Sequence, residues 1–490
     1  MAELAATFRR SSLDRYFKFS ENRTTLARDT MAGVTTFIVM SYIIFVNPSI
    51  LGFVGNPDLE SKGLPFDGVL ASTCLVAGVM TILMGLVTNR AYAIAPGLGI
   101  NAIVAFSLVA GAGLGFPEAM GIIVMEGALV TFLVLVGMRE KVMRAIPLEL
   151  KKAIAIGIGL FIALIGLVNA GIVVRGEGTP ITLARFTTWP VFVTIFGIVV
   201  TLVLRARRFR GDLLVGIVAT TVVATIINWA TDYKAFTTPG VARIPEDVVE
   251  SPNFSLIGNV SFDSFATLGI VATLAWVFSL FLADFFDTMG TLVGVGRQAG
   301  YLTKDGELPQ IRRPLLVDSV AAMAGGAASA SSATTYIESG AGVGVGGRTG
   351  WVSVVTGVLF FPFMFFAPII GMVPAQATGA VLVVVGYLMV TVLSEYEERA
   401  DSATDATARR ALAGIDFNNL ALGFAALMAI IIMPFTYSIT NGIGFGFISY
   451  AVIRIAQGDW RKVHPLLYIV AGLFTLYFLV PLAQDNLSWV

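Results

Sequence analysis

Apolar runs succeed one another along almost the whole chain. They fall near residues 31–51, 69–88, 95–110, 119–137, 153–174, 189–204, 213–230, 265–296, 315–330, 337–347, 351–373, 376–393, 419–434, 440–457 and 466–484. A helix takes about 20 such residues to cross a bilayer. Inside hydrocarbon only helices and closed barrels satisfy their own backbone polar groups. A barrel would show short alternating segments instead. The expected class is therefore an all-α polytopic membrane protein of fourteen or fifteen segments. The last two runs read either as two crossings or as one crossing and an interfacial helix. Composition agrees where it decides: 13% of the 490 residues are charged, against about 25% in soluble domains.

Several function classes fall away at once. The formal net charge is zero, so nothing points to nucleic acid. Cys74 is the single cysteine, which excludes an intramolecular disulfide and a cysteine metal cluster. His464 is the single histidine, at the edge of a run, which argues against a histidine metal site and against a membrane enzyme built on a nucleophile–base pair. No G-x-x-x-x-G-K-[ST] motif is present, so nucleotide-driven pumping is not expected. A channel would need a continuous polar ring, and the intramembrane acids are too few. The expectation is a transporter rather than an enzyme, with no cofactor and no metal.

Loop charge sets the expected orientation. Arg9, Arg10, Arg15, Lys18, Arg23 and Arg28 precede the first run, which places the N-terminus in the cytoplasm. The polar, basic start has no signal-peptide pattern. The count then puts Arg139, Lys141, Arg144, Lys151 and Lys152 inside, then Arg205 to Arg210, then Arg297, Lys304, Arg312 and Arg313. The acidic stretch 231–263 falls outside.

Two runs differ from the rest. The third (APGLGINAIVAF) and the tenth (YIESGAGVGVGG) are short, glycine-rich and polar in the middle. They are third in the first seven and third in the second seven. Seven is odd, so the second set enters the membrane from the opposite side. Short, Gly/Pro-interrupted segments at matching places of two inverted halves are the best sequence pointer to a transporter's binding site. Pro96 suits the first turn of a helix that starts in mid-membrane, and such a helix directs unpaired N–H groups at the bilayer centre. Gly99 allows close backbone approach. Asn101 can donate and accept. In the tenth run, Thr335 and Glu338 stand among serines, threonines and glycines.

The eighth run carries two more acids, Asp284 and Asp287, three apart and so on one helical face. An aspartate costs roughly +2.5 to +3.5 kcal/mol near the centre of a membrane helix on insertion scales. With Glu338 they suggest a polar site inside the bundle. The plainer readings are an interfacial pair for the aspartates and a hydroxyl-satisfied acid for Glu338. Asp318 is expected to pair with Arg312 and Arg313 or to lie near the headgroups, and Glu118 to sit at a helix start. Asn47 and Pro48 read as the end of the first helix.

At these residues the chain resembles the AzgA-like purine permeases of the nucleobase–ascorbate transporter superfamily. The matching stretches are TFIVMSYIIFVNPSIL, NRAYAIAPGLGINA, ADFFDTMGTLVGVGRQAGYL and SSATTYIESGAGVGVGGRTG. The resemblance implies fourteen segments in two inverted seven-segment repeats, with half-helices at segments three and ten. It also implies a core domain (31–137 and 264–373) and a gate domain (138–230 and 374–490), with 1–30 cytoplasmic and 231–263 extracytoplasmic. Proton-coupled uptake of adenine, guanine or hypoxanthine across the inner or plasma membrane follows by the same likeness, as does a possible homodimer. By motif, the GxN falls on Gly99 and Asn101, the DxxD on Asp284 and Asp287, and the tenth-segment acid on Glu338. The family associates Asn101, Asp284 and Glu338 with purine contact and Asp287 with coupling. Alignment on the following glycine, as in uracil permeases, gives Asp287 the contact instead. The alternatives on the same scaffold are a pyrimidine, xanthine or anion transporter.

Overall fold

The computed structural model describes residues 12–137, 146–238, 240–303, 308–391 and 414–486. Arg9, Arg10, Arg139, Lys141, Arg144 and Lys304, used above for orientation, lie outside the described residues.

Eight described helices are long and apolar enough to cross a bilayer: Leu26–Leu51, Phe66–Thr88, Phe116–Leu135, Leu148–Asn169, Trp189–Ala206, Asp212–Ala230, Ile270–Gln298 and Ile439–Ala456. Five shorter apolar helices are Leu98–Gly111, Trp351–Phe365, Ala375–Val390, Leu420–Phe435 and Pro465–Leu479. The ninth segment is Arg312–Ala327, and the tenth carries the short helix Ser339–Gly344. Taken in chain order these are segments one to fifteen. The last two are separate helices, and the second of them is too short to count among the eight spans.

Local chemistry sets the ends. Thr25 accepts from the Arg28 backbone N–H (3.2 Å) where the first helix begins. Pro117 sits in the first turn of the fourth, where Glu118 accepts from the Gly115 N–H (2.9 Å). Asn89 ends the second in the left-handed region at φ 50°, which asparagine tolerates better than most residues. One sequence expectation is corrected. Asn47 and Pro48 do not end the first helix but lie inside Ile43–Leu51. The interruption falls earlier, at Ser41 and Tyr42. Buried Asn47 donates across to Thr73 Oγ1 (2.8 Å) and to the Ala330 carbonyl (3.1 Å), which gives its amide a tertiary use.

The packing repeats with an offset of seven segments. The second helix packs on the eleventh, and its counterpart pair, the ninth and fourth, packs likewise. Sixth on twelfth is matched by thirteenth on fifth, first on eleventh by eighth on fourth, and seventh on twelfth by fourteenth on fifth. Third on tenth and fifth on twelfth map onto themselves, so they lie on the axis relating the halves. Segments five, six, seven and twelve to fourteen form one packed group, and one to four with eight to eleven form the other.

Glycines make the closest of these seams. A Cβ on Gly166 would lie 2.6 Å from the Gly379 carbonyl oxygen, and one on Gly379 2.7 Å from that of Gly166. One turn pair away, Gly159 and Gly386 repeat the arrangement at 2.7 and 2.5 Å. Without Cβ atoms the fifth and twelfth backbones can touch, the usual means of close helix approach in membranes.

On the other self-matching seam the chain is not helical. Ile94–Pro96 and Ala333–Thr335 pair antiparallel, with Ile94 opposite Thr335 and Pro96 opposite Ala333. Extended backbone at such a depth needs protein partners. It has them: Gly97 N–H donates to Ser332 O (2.9 Å), Tyr336 N–H to Ala93 O (2.9 Å), and Ser339 Oγ accepts from Ala93 N–H (2.9 Å). Thr81 of the second helix both accepts from Ile94 N–H (2.9 Å) and donates to Ile94 O (2.8 Å). Each strand then turns into its helix, Leu98–Ala102 running on as a π-helical stretch Ile103–Gly111, and Ser339–Gly344.

Candidate functional site

Beside the paired strands lies a cavity of about 360 Å³, within the size range of small-molecule sites. One wall comes from the strand-bearing group: Leu98 and Gly99 of the third segment, Asp287, Gly290 and Thr291 of the eighth, and Thr335 to Glu338 of the tenth. The facing wall comes from the fifth and twelfth helices, through Lys151, Ile158, Val385 and Met389. The cavity thus lies between the two packed groups and reaches the first turn of the fifth helix and the last turn of the twelfth.

The structure brings together Gly99, Asp287, Thr335 and Glu338 on this lining. Asp287 is exposed to the cavity and Glu338 partly so. Asn101 and Asp284 are not on the lining, and both are fully buried behind it. Neither amide atom of Asn101 has a hydrogen-bond partner among the described residues. The spacing of three does put both aspartates on one side of the eighth helix, but the helix turns Asp287 to the cavity and Asp284 into the protein. Phe281 and Phe285 are buried against each other's neighbours rather than on the lining, with ring centroids 5.7 Å apart.

Thr335 is on the lining, yet its hydroxyl is already committed. Asp318 Oδ1 accepts from both the Thr335 N–H (2.8 Å) and its Oγ1 (2.7 Å), and Asp318 Oδ2 accepts from Thr288 Oγ1 (2.6 Å). Asp318 therefore corrects the sequence expectation. It is fully buried and ties the eighth and tenth segments together, rather than lying near the headgroups. Two carboxylate oxygens accepting three donors offset the cost of burying the charge. Arg348 donates to the carbonyls of Val343 and Gly347 (2.8 and 2.6 Å), closing the end of the short tenth helix where a cation complements the dipole.

Tyr42 was not singled out from sequence, and the tyrosine and lysines beside it were given no place on a site. Tyr42 lines the cavity and donates to Glu338 Oε1 (2.8 Å). A Ser-Tyr pair in the middle of an apolar run was the available signal. Tyr336 lines it too, with its hydroxyl donating to the Pro96 carbonyl of the opposite strand. Lys151 and Lys152 read as loop cations because the apolar run starts after them. Pro147, just before Leu148, marks the true helix start and puts both lysines on the cavity wall.

Chemically, the site offers two acids and two tyrosines on one wall, two lysines on the other, and apolar surface between. It can accept N–H donors from a flat polar ring and enclose the ring's faces.

Known proteins give a consistent picture. A family model described as "Permease family" matches residues 28–400. The adenine permease AdeQ of Escherichia coli is 36% identical over 465 residues, covering 95% of this chain and 96% of the relative. The guanine/hypoxanthine permease PbuO of Bacillus subtilis is 36% identical over 468 residues, covering 95% of this chain and all of the relative (100%). Among solved structures, the transmembrane domain of a cyanobacterial bicarbonate transporter, BicA, superposes with a TM-score of 0.55 at 14% identity, covering 82% of this chain and 97% of that one. That likeness concerns the fold, an inverted-repeat transporter architecture.

Proposed function

The chain belongs to the permease family of membrane transporters, and on that premise we propose that it imports purine nucleobases together with protons. The observation that carries the reading is the placement of Asp287 and Glu338 on one cavity between the two helix groups. Adenine, guanine and hypoxanthine are flat and carry N–H donors on their edges. Two carboxylates on neighbouring segments match those donors. The first N–H groups of the Leu98–Gly111 helix, at Leu98 and Gly99, meet ring acceptors. Asn101 and Asp284 support this wall from behind, and the unpartnered Asn101 amide is positioned to gain a partner when the third segment moves.

Coupling follows from the same carboxylates. An ionised acid beside a low-dielectric cavity is costly, and taking up a proton removes that cost. A proton bound from the outer side then travels with the ligand. Movement is the strand-bearing core group shifting against the gate group of segments five to seven and twelve to fourteen. The two half-helices are not equally covered. The third segment packs on the fifth and fourteenth helices, while the matching seams of the tenth are at most marginal among the described residues. This is the asymmetry expected of one end-state, open on the side where Lys151 and Met389 lie. With the N-terminus cytoplasmic in a plasma or inner membrane, that state is inward-facing. A homodimer is part of the same proposal.

Lys151 and Lys152 favour a second reading, an anionic substrate. Equilibrium binding to the purified protein separates the two. Adenine, guanine or hypoxanthine should bind and be displaced by one another. Binding of uracil or bicarbonate in their place would overturn the purine assignment, and binding of xanthine alone would overturn the choice of adenine, guanine and hypoxanthine.

A further inference from the structure

Tyr42 owes its position to an interruption. The first segment is helical over Leu26–Met40 and again over Ile43–Leu51, and Tyr42 stands in the turn between them. Its side chain is 2% exposed yet borders the cavity. The hydroxyl donates to Glu338 Oε1 at 2.8 Å, across 296 residues of sequence. Glu338 itself stands just before the short helix Ser339–Gly344, three residues past the strand Ala333–Thr335. No other side chain donates to Glu338 among the described residues. The other phenol on the lining, Tyr336, is spent on Pro96.

We propose that Tyr42 is a positioning residue for substrate recognition: its hydroxyl holds one oxygen of Glu338 so that the carboxylate is presented to the ligand in a single orientation. The proposal deepens the purine reading above and rests on it for the substrate. A long, flexible carboxylate loses rotamer freedom when it grips a ligand, and a hydrogen bond formed beforehand removes part of that cost. The same bond links the first segment to the tenth, so the grip on the ligand depends on how those two segments sit. Tyr42 acts through Glu338, so its effect should vanish when Glu338 is altered.

The test uses Tyr42→Phe, which keeps the ring and removes only the hydroxyl, alone and combined with Glu338→Gln. Tyr42→Phe should raise the KM for adenine uptake about tenfold, the size of one charge-assisted hydrogen bond, with Vmax within about twofold of the parent. In the Glu338→Gln background the same change should alter binding less than about threefold. An equal loss in both backgrounds, or an unchanged KM with an intact fold, overturns the proposal. Infrared difference spectra supply a readout that needs no substrate. The Glu338 carboxyl band, identified by its loss in Glu338→Gln, should shift in Tyr42→Phe, and a band that stays put also overturns it. If the parent protein binds no purine, the transport reading fails by itself and the band shift still decides the role of Tyr42.

Discussion

Glu338 and Asp287 reach the cavity from different segments, so their roles can be separated by substitution. Glu338→Ala should abolish purine uptake while thermal unfolding stays close to the parent, since the side chain is only partly covered. Glu338→Gln should keep weak binding, because an amide still accepts a hydrogen bond, but lose the dependence of uptake on pH. Asp287→Asn should weaken binding and uncouple it from protons. Asp284→Asn, behind the wall, should act mainly on stability; a pure loss of affinity there, with Asp287→Asn silent, would reverse the assignment. At this scale the sequence was partly legible. The acids stood out as costly in a membrane helix and Gly99 and Thr335 as part of the two unusual runs, and Gly99, Asp287, Thr335 and Glu338 line the cavity. Which of two aspartates three apart faces inward depends on a helix rotation of a few tens of degrees, which spacing alone does not set. Tyr42 and the lysines were missed because their exposure depends on where helices break and begin.

The half-helices and the glycine seam are the elements that make the site. A Cβ on Gly99 would lie 2.9 Å from Ile158 Cγ2 on the facing helix. Gly99→Val should therefore wedge the third segment from the fifth, cutting uptake with little loss of folded protein. At Gly166 the obstacle is backbone, the Gly379 carbonyl, and cannot swing away. Gly166→Ala should cost about 1–3 kcal/mol, read as a lower unfolding temperature in detergent, whereas Gly472→Ala, with nothing within 4 Å of the new atom, should cost nothing. An equal effect of both would mean that the fifth and twelfth backbones do not touch. Short, glycine-broken runs three and ten announced themselves in the sequence. Their pairing as antiparallel strands did not, because three-residue strands buried on both faces carry no alternation to read. Asn47 and Pro48 misled for a related reason: a proline inside a membrane helix is tolerated when neighbours cover the freed groups.

Across the whole molecule, seams that repeat with an offset of seven segments make the two halves structural equivalents inserted in opposite senses. The succession of fourteen or fifteen segments was legible from the runs, since hydropathy needs no tertiary contact. The asymmetry between third and tenth segments was not, because it lies in tertiary contacts that hydropathy does not record. On the proposed mechanism, exchanging which half-helix is covered would turn the cavity to the other side, and the carboxylates would carry ligand and proton with it. The most direct measurement is uptake of labelled adenine, guanine and hypoxanthine into proteoliposomes, with and without an inside-alkaline pH gradient, against an unlabelled competitor panel. Purine should accumulate above its external concentration only with the gradient, and other purines should compete while uracil and bicarbonate do not. Accumulation indifferent to the gradient, or competition by bicarbonate or uracil in place of purines, would contradict the account.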